Sequence, residues 1–124
     1  MKLTLEKVSM YVLGFILVLF GLNKGLNFIT LPTPPEEAIG FLTGIGGSGY
    51  VFPTLMILEI MFGLSLLFNK YTKVTLLLLL PVLYNIFMYH LLMDVSGIII
   101  PAVMVVTTSY LIWEKKDEYK SLLV

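Results

Sequence analysis

Apolar positions in this chain neither alternate nor keep to one helical stripe. They run on in four blocks, over about 8–27, 52–69, 74–93 and 97–113. Each block has roughly the 20 helical residues, at about 1.5 Å apiece, that a bilayer's hydrocarbon core requires. Pro53 falls in the first turn of the second block, where its missing N–H is not needed, and Ser96 is placed to N-cap the fourth. One such block could be a buried core helix. Four of them in a chain this short leave no polar shell to bury them. The pattern predicts an all-α fold, an integral membrane four-helix bundle forming one domain over residues 1–124. The first block is read as a retained span: its apolar stretch is too long for a signal peptide, and GLNKGLNF offers no small-residue cleavage site.

The stretch 28–51 is too long for a plain turn between antiparallel helices. Thr33-Pro34-Pro35-Glu36 reads as a capping box with prolines in the first turn, opening a short interfacial helix over about 34–43. GIGGSGY then reads as its flexible return. The segment is either a simple connector or a lid over an outward-facing pocket. With no G-K-[ST] and no preceding strand, it is not a phosphate loop.

Composition narrows the chemistry. Of 124 residues, 58% are hydrophobic and only 13% charged, too little polar surface to cover a soluble domain and too apolar for a disordered chain. There is no Cys, which excludes disulfides, thiol relays and iron–sulfur clusters, and a single His, which excludes a bis-His haem within one chain. All eight basic residues are Lys, scattered and matched by eight acids, which is no nucleic-acid footprint. Lys2 and Lys7 precede the first span, Lys70 and Lys73 sit between the second and third, and Lys115, Lys116 and Lys120 follow the fourth. An even number of spans puts these on one face, opposite Glu36, Glu37, Asp94 and Lys24 near the end of the first span. The positive-inside rule makes that face, with both termini, cytoplasmic. Trp113 and Tyr110 on the inner side, and Tyr50 and Phe52 on the outer, suit interfacial belts.

The few polar side chains inside the spans are costly in lipid and carry the functional information. Glu59 lies about 9 Å below the outer end of the second span, Lys24 and His90 about 5 Å below theirs, Asn23 slightly deeper and Asn85 about 12 Å down, all by helical rise. All five fall in the outer half. Because Cα–Cβ bonds tilt toward a helix's own N-terminus, Lys24, Asn85 and His90 lean inward and Glu59 leans outward, toward a common depth. The group is then a structural clasp, an aqueous crevice, or a pocket for an amphiphilic ligand or a proton. A metal centre is not expected, since few ligands converge without Cys or a second His.

Gly14, Gly21 and Gly25 share a face of the first span, Gly21 to Gly25 being a G-x-x-x-G, and Gly63 sits one turn below Glu59. Small residues let helices approach closely, either within the bundle or toward a homodimer or other membrane partner. Pro81 should kink the third span one turn before Asn85, freeing the carbonyl of Leu77.

LGFILVLFGLNKGLNF, with Gly21 and Lys24, resembles the opening of DoxX-family membrane proteins. LEIMFGLSLLFNKYTK, with Glu59 and Gly63, resembles their second helix, and LLPVLYNIFMYHLLMDVSG, with Asn85 and His90, resembles the third helix and exit of one subgroup. The resemblance covers nearly the whole chain. It departs where family members often begin the first span with Arg: this chain has Lys7 there and no Arg anywhere, so no bidentate guanidinium grip is available. The resemblance implies a four-helix protein of a bacterial cytoplasmic membrane, associated with redox or stress complexes. The expected function is an accessory, non-catalytic subunit of a redox-linked complex whose outer-half pocket of Asn23, Lys24, Glu59, Asn85 and His90 takes a quinone-like or lipid headgroup. The alternatives are a small proton-coupled transporter using Glu59 and a purely structural subunit.

Overall fold

The computed structural model describes residues 2–123, and among these every regular element is helical. The helices are α1 (Lys2–Leu26), α2 (Glu36–Gly47), α3 (Val51–Leu67), α4 (Thr72–Met93) and α5 (Ile99–Glu114), with 3-10 segments at Val95–Gly97 and Lys116–Leu122. Two stretches, Thr4–Leu26 and α4, are long and apolar enough to cross a membrane, consistent with an integral membrane protein. A third such span arises if α2 and α3, bent by 86° across a short break, are taken as one, while α5 is apolar but shorter.

Helices α3, α4 and α5 are apolar on every side, as expected of helices whose outer faces do not meet water. Leu78, Tyr84, Leu92, Val106 and Phe15 are among the large apolar side chains left on the exterior. The packed core joins Met10, Leu13 and Leu17 of α1, Phe62 and Leu66 of α3, Leu76, Leu79 and Leu83 of α4, and Met104 and Leu111 of α5. These positions lie between the lysine-rich end and mid-depth. At the other end α4 has no fully buried residue beyond Leu83.

Helices α1 and α3 form the most intimate pair, α5 packs on α4, and α1 and α5 also touch. Gly14 and Gly63 let α1 and α3 meet backbone to backbone. A Cβ on Gly63 would lie 2.6 Å from Val18 Cγ2 and 2.7 Å from the Gly14 carbonyl, and one on Gly14 would lie 2.9 Å from the Gly63 carbonyl. Gly21 continues the seam against Glu59 and Ile60, and Gly25 against Met56. All four glycines singled out in the sequence therefore serve one antiparallel contact inside the chain.

Side-chain contacts tie the lysine-rich end together. Tyr119 Oη donates to the Lys73 carbonyl at 2.8 Å, Lys73 pairs with Glu118 at 3.3 Å, and Thr72 reaches Met10. Burial first, and then the nearby Glu118, push the Tyr119 phenol above its ordinary value, so its hydroxyl stays a donor through neutral pH. In the turn between α3 and α4, Ser65 donates to the Lys70 carbonyl and pairs with Thr75, while Asn69 and Tyr71 take the left-handed conformation.

Several local expectations are corrected. Helix α2 begins at Glu36 with Pro35 as N-cap and no side-chain cap bond, so Thr33 forms no capping box. The glycines after it extend the helix to Gly47 instead of forming a return; the break comes at Ser48–Tyr50, where Gly49 has φ 81°. Ser96 does not cap α5, whose N-cap is Ile98; its hydroxyl bonds Asp94 within the preceding 3-10 turn.

Candidate functional site

The close approach of α1 and α3 sets the site. Gly21 lacks a side chain where the Glu59 Cβ packs: an added Cβ would come within 3.1 Å of it. One turn further along α1 from that contact, Lys24 reaches across. Its Nζ lies 2.7 Å from Glu59 Oε2. The pair is asymmetric: 2% of the Glu59 side chain is exposed against 25% of Lys24. A buried carboxylate is thus covered by a cation that remains partly accessible.

Lys24 also lines an open groove of about 260 Å³, with Gly25 of α1 and Phe52, Pro53, Met56 and Ile57 of α3. Phe52 and Met56, like Pro53 and Ile57, are four residues apart and share faces of α3. Lys24 is the one charged residue among the six lining the groove. The arrangement can hold an apolar body against α3 and offer ammonium hydrogens to its polar end.

The other three predicted site residues are placed apart from this pair. Both polar groups of Asn23 are engaged by the chain leaving α1: Oδ1 accepts from the Ile29 N–H at 2.7 Å and Nδ2 donates to the Ile29 carbonyl at 3.3 Å. Its own carbonyl accepts from the N–H of Asn27, which takes the left-handed conformation that ends α1. Asn23 therefore fixes the α1 exit. Replacing it with alanine should cost about 1–3 kcal/mol, because Ile29 loses both partners. Faster amide exchange and proteolysis confined to the stretch after α1 would measure it, and unchanged protection there would refute it.

Asn85 is exposed and donates to the Pro81 carbonyl of its own helix at 2.8 Å. His90 is half-buried, with Nδ1 3.1 Å from the Asp94 carbonyl and its ring seated on Gly97, where a Cβ would lie 2.8 Å from Cε1. Neither bonds Lys24 or Glu59. Toward this end the hold of the core on α4 thins out: Leu83 is its last fully buried residue and Ile86 the last packed against the core, and Asn85 and His90 satisfy their polar groups locally. Helix α2 approaches the same end of α4 through Phe41 stacked on Tyr89 at 5.9 Å. No group of three His, Cys, Asp or Glu side chains suited to a metal ion occurs among the described residues.

The groove residues Phe52, Pro53, Met56 and Ile57 were not anticipated. In a helix that is apolar all round, more apolar residues carry no signal; only the known position of Lys24 picks out the face that matters. No family model, curated protein or solved structure matches the chain at a significant level.

Proposed function

We propose that this chain is a four-span integral membrane protein, a bundle of α1, α3, α4 and α5 with both termini cytoplasmic, that binds the polar head of a membrane amphiphile at the Lys24–Glu59 pair. It acts as a binding or accessory subunit. The observation that carries the reading is the juxtaposition of an ion pair with an open apolar groove: Nζ to Oε2 is 2.7 Å, and Lys24 both covers Glu59 and lines the groove. An amphiphile needs these two environments side by side, one for its chain and one for its head.

The topology rests on charge. Seven lysines and four acids fall at the end where Tyr119, Lys73 and Met10 gather, while Glu36, Glu37 and Asp94 fall at the other. Helices α3 and α5, with 17 and 16 residues, span about 25 Å, a few ångströms short of a hydrocarbon core of about 30 Å. A slight local thinning or the flanking 3-10 turns make up the difference. The resemblance to DoxX proteins supports four spans and favours a quinone as the amphiphile and a redox-linked complex as the setting. Proton-coupled transport is the weaker reading, because Glu59 lies sealed beneath Lys24.

Gentle purification in a mild neutral detergent, followed by native mass spectrometry, tests the reading. The wild-type protein should retain a quinone or lipid, and Lys24→Leu with Glu59→Leu should lose it while remaining folded. An empty wild-type protein, or a double variant that keeps the same ligand, would overturn it.

A further inference from the structure

The asymmetry of the ion pair constrains which headgroups the groove accepts. Were both partners equally exposed, a ligand could meet the cation or the carboxylate. Here 2% of the Glu59 side chain is accessible and 25% of Lys24 is, and Lys24 alone of the two lines the groove. An ammonium carries three donors and no acceptor, and at most one of those hydrogens points at Oε2. What remains available to a ligand is donor capacity and positive charge.

A second feature acts in the same direction. Phe52 and Pro53 lie in the first turn of α3, so the groove opens beside that helix's positive dipole end, which favours negative charge nearby. Nothing among the six lining residues offers a carboxylate. A quaternary or primary ammonium head would find the accessible cation in its way and no exposed acid to pair with.

We infer that the groove selects amphiphiles by a hydrogen-bond-accepting, non-cationic head, a phosphate or a quinone-type carbonyl, and rejects cationic ones, with Glu59 serving as an internal counter-charge that weakens the site's hold on anions. This deepens the binding reading above and rests on it. It also makes an unusual demand on the acid. In a site that reads its ligand through Glu59, removing that charge abolishes binding. Here Glu59→Gln leaves Lys24 an acceptor of nearly the same shape and frees its charge for the ligand, so binding strengthens.

The test uses the full chain in a neutral maltoside detergent with three tailed probes: dodecyl phosphate, a decyl-tailed benzoquinone and dodecyltrimethylammonium. Binding is followed by native mass spectrometry and by quenching of an environment-sensitive fluorophore near the groove. The phosphate or the quinone should bind in preference to the ammonium. Glu59→Gln should tighten the phosphate roughly tenfold, since an uncompensated ammonium attracts an anion more strongly, and tighten the neutral quinone much less. Lys24→Leu with Glu59→Leu should lose both. Preference for phosphate assigns the head to a lipid, and preference for the benzoquinone assigns it to a quinone; either outcome supports the inference. If the ammonium probe binds best, and Glu59→Gln abolishes its binding, the selectivity is overturned while binding at the pair stands. If the wild-type protein binds none of the three, the binding reading falls as well. A melting profile of Glu59→Gln within a few degrees of wild type excludes misfolding as the cause of any loss.

Discussion

Replacing Lys24 alone with leucine should destabilise the protein by about 3–5 kcal/mol, the usual consequence of stranding one member of a buried ion pair. The side-chain exposures make the two single variants unequal. Without Lys24, Glu59, whose side chain is only 2% exposed in the intact pair, loses the counter-charge that lies 2.7 Å from it. Without Glu59, the Lys24 ammonium is a quarter exposed already and its four-carbon stem can carry it toward the interface. Glu59→Leu should therefore cost less, on the order of 1 kcal/mol. The double leucine variant should return to within about 1 kcal/mol of wild type or exceed it, since both desolvation costs disappear together. Unfolding titrations in mixed detergent micelles would measure all four proteins. Equal losses in the two single variants would refute the asymmetry, and a double variant as unstable as Lys24→Leu would show that shape, not charge, matters at this seam.

The second large effect should come from the glycines, and its sign should depend on position. Gly63→Ala places a methyl 2.6 Å from Val18 Cγ2 and 2.7 Å from a backbone carbonyl of α1. Backbone cannot step aside as a flexible side chain can, so α1 and α3 must separate, at a cost of about 1–3 kcal/mol for overpacking alone. Gly14→Ala should behave alike, with the Gly63 carbonyl 2.9 Å away. Gly25→Ala should be milder, because its nearest neighbour is the end of the Met56 side chain. Gly44→Ala, in α2 with no atom within 4 Å of an added Cβ, should stabilise by about 0.4–1 kcal/mol through the entropy of the unfolded chain. Thermal melts of the four variants would rank them. A Gly63→Ala protein as stable as wild type would mean that the seam has slack the close contacts deny.

These effects separate what the sequence could reveal from what it could not. The helices were readable from block length, and the Lys24–Glu59 pair from depth and Cβ tilt, because two ions at similar depth in an apolar setting have few other ways to be satisfied. His90 and Asn85 met the same depth criterion yet stand apart. Depth fixes a coordinate along the helix axis and says nothing of rotation about it, and each found an acceptor within its own chain segment, Asp94 for His90 and Pro81 for Asn85. Asn23 was misread for a related reason: an amide carries both a donor and an acceptor, so one extended residue, Ile29, can satisfy it completely. The capping box at Thr33 failed because two prolines separate it from Glu36 and the helix starts only beyond them. The glycines of α2 looked like a loop since local composition outweighed continuity; the helix runs through Gly40, Gly44 and Gly46 and breaks only where Gly49 takes a positive φ.

The intimacy of α1 with α3 also bears on how the chain is made. Both members of the ion pair, and every glycine of the seam, lie before residue 68. During synthesis the first two apolar helices can dock while α4 is still in the ribosome, neutralising Lys24 and Glu59 against each other before the second hairpin arrives. A nascent chain halted shortly after α3 would then already hold its charges in place, and α4 with α5 would be added to a half that is electrostatically finished.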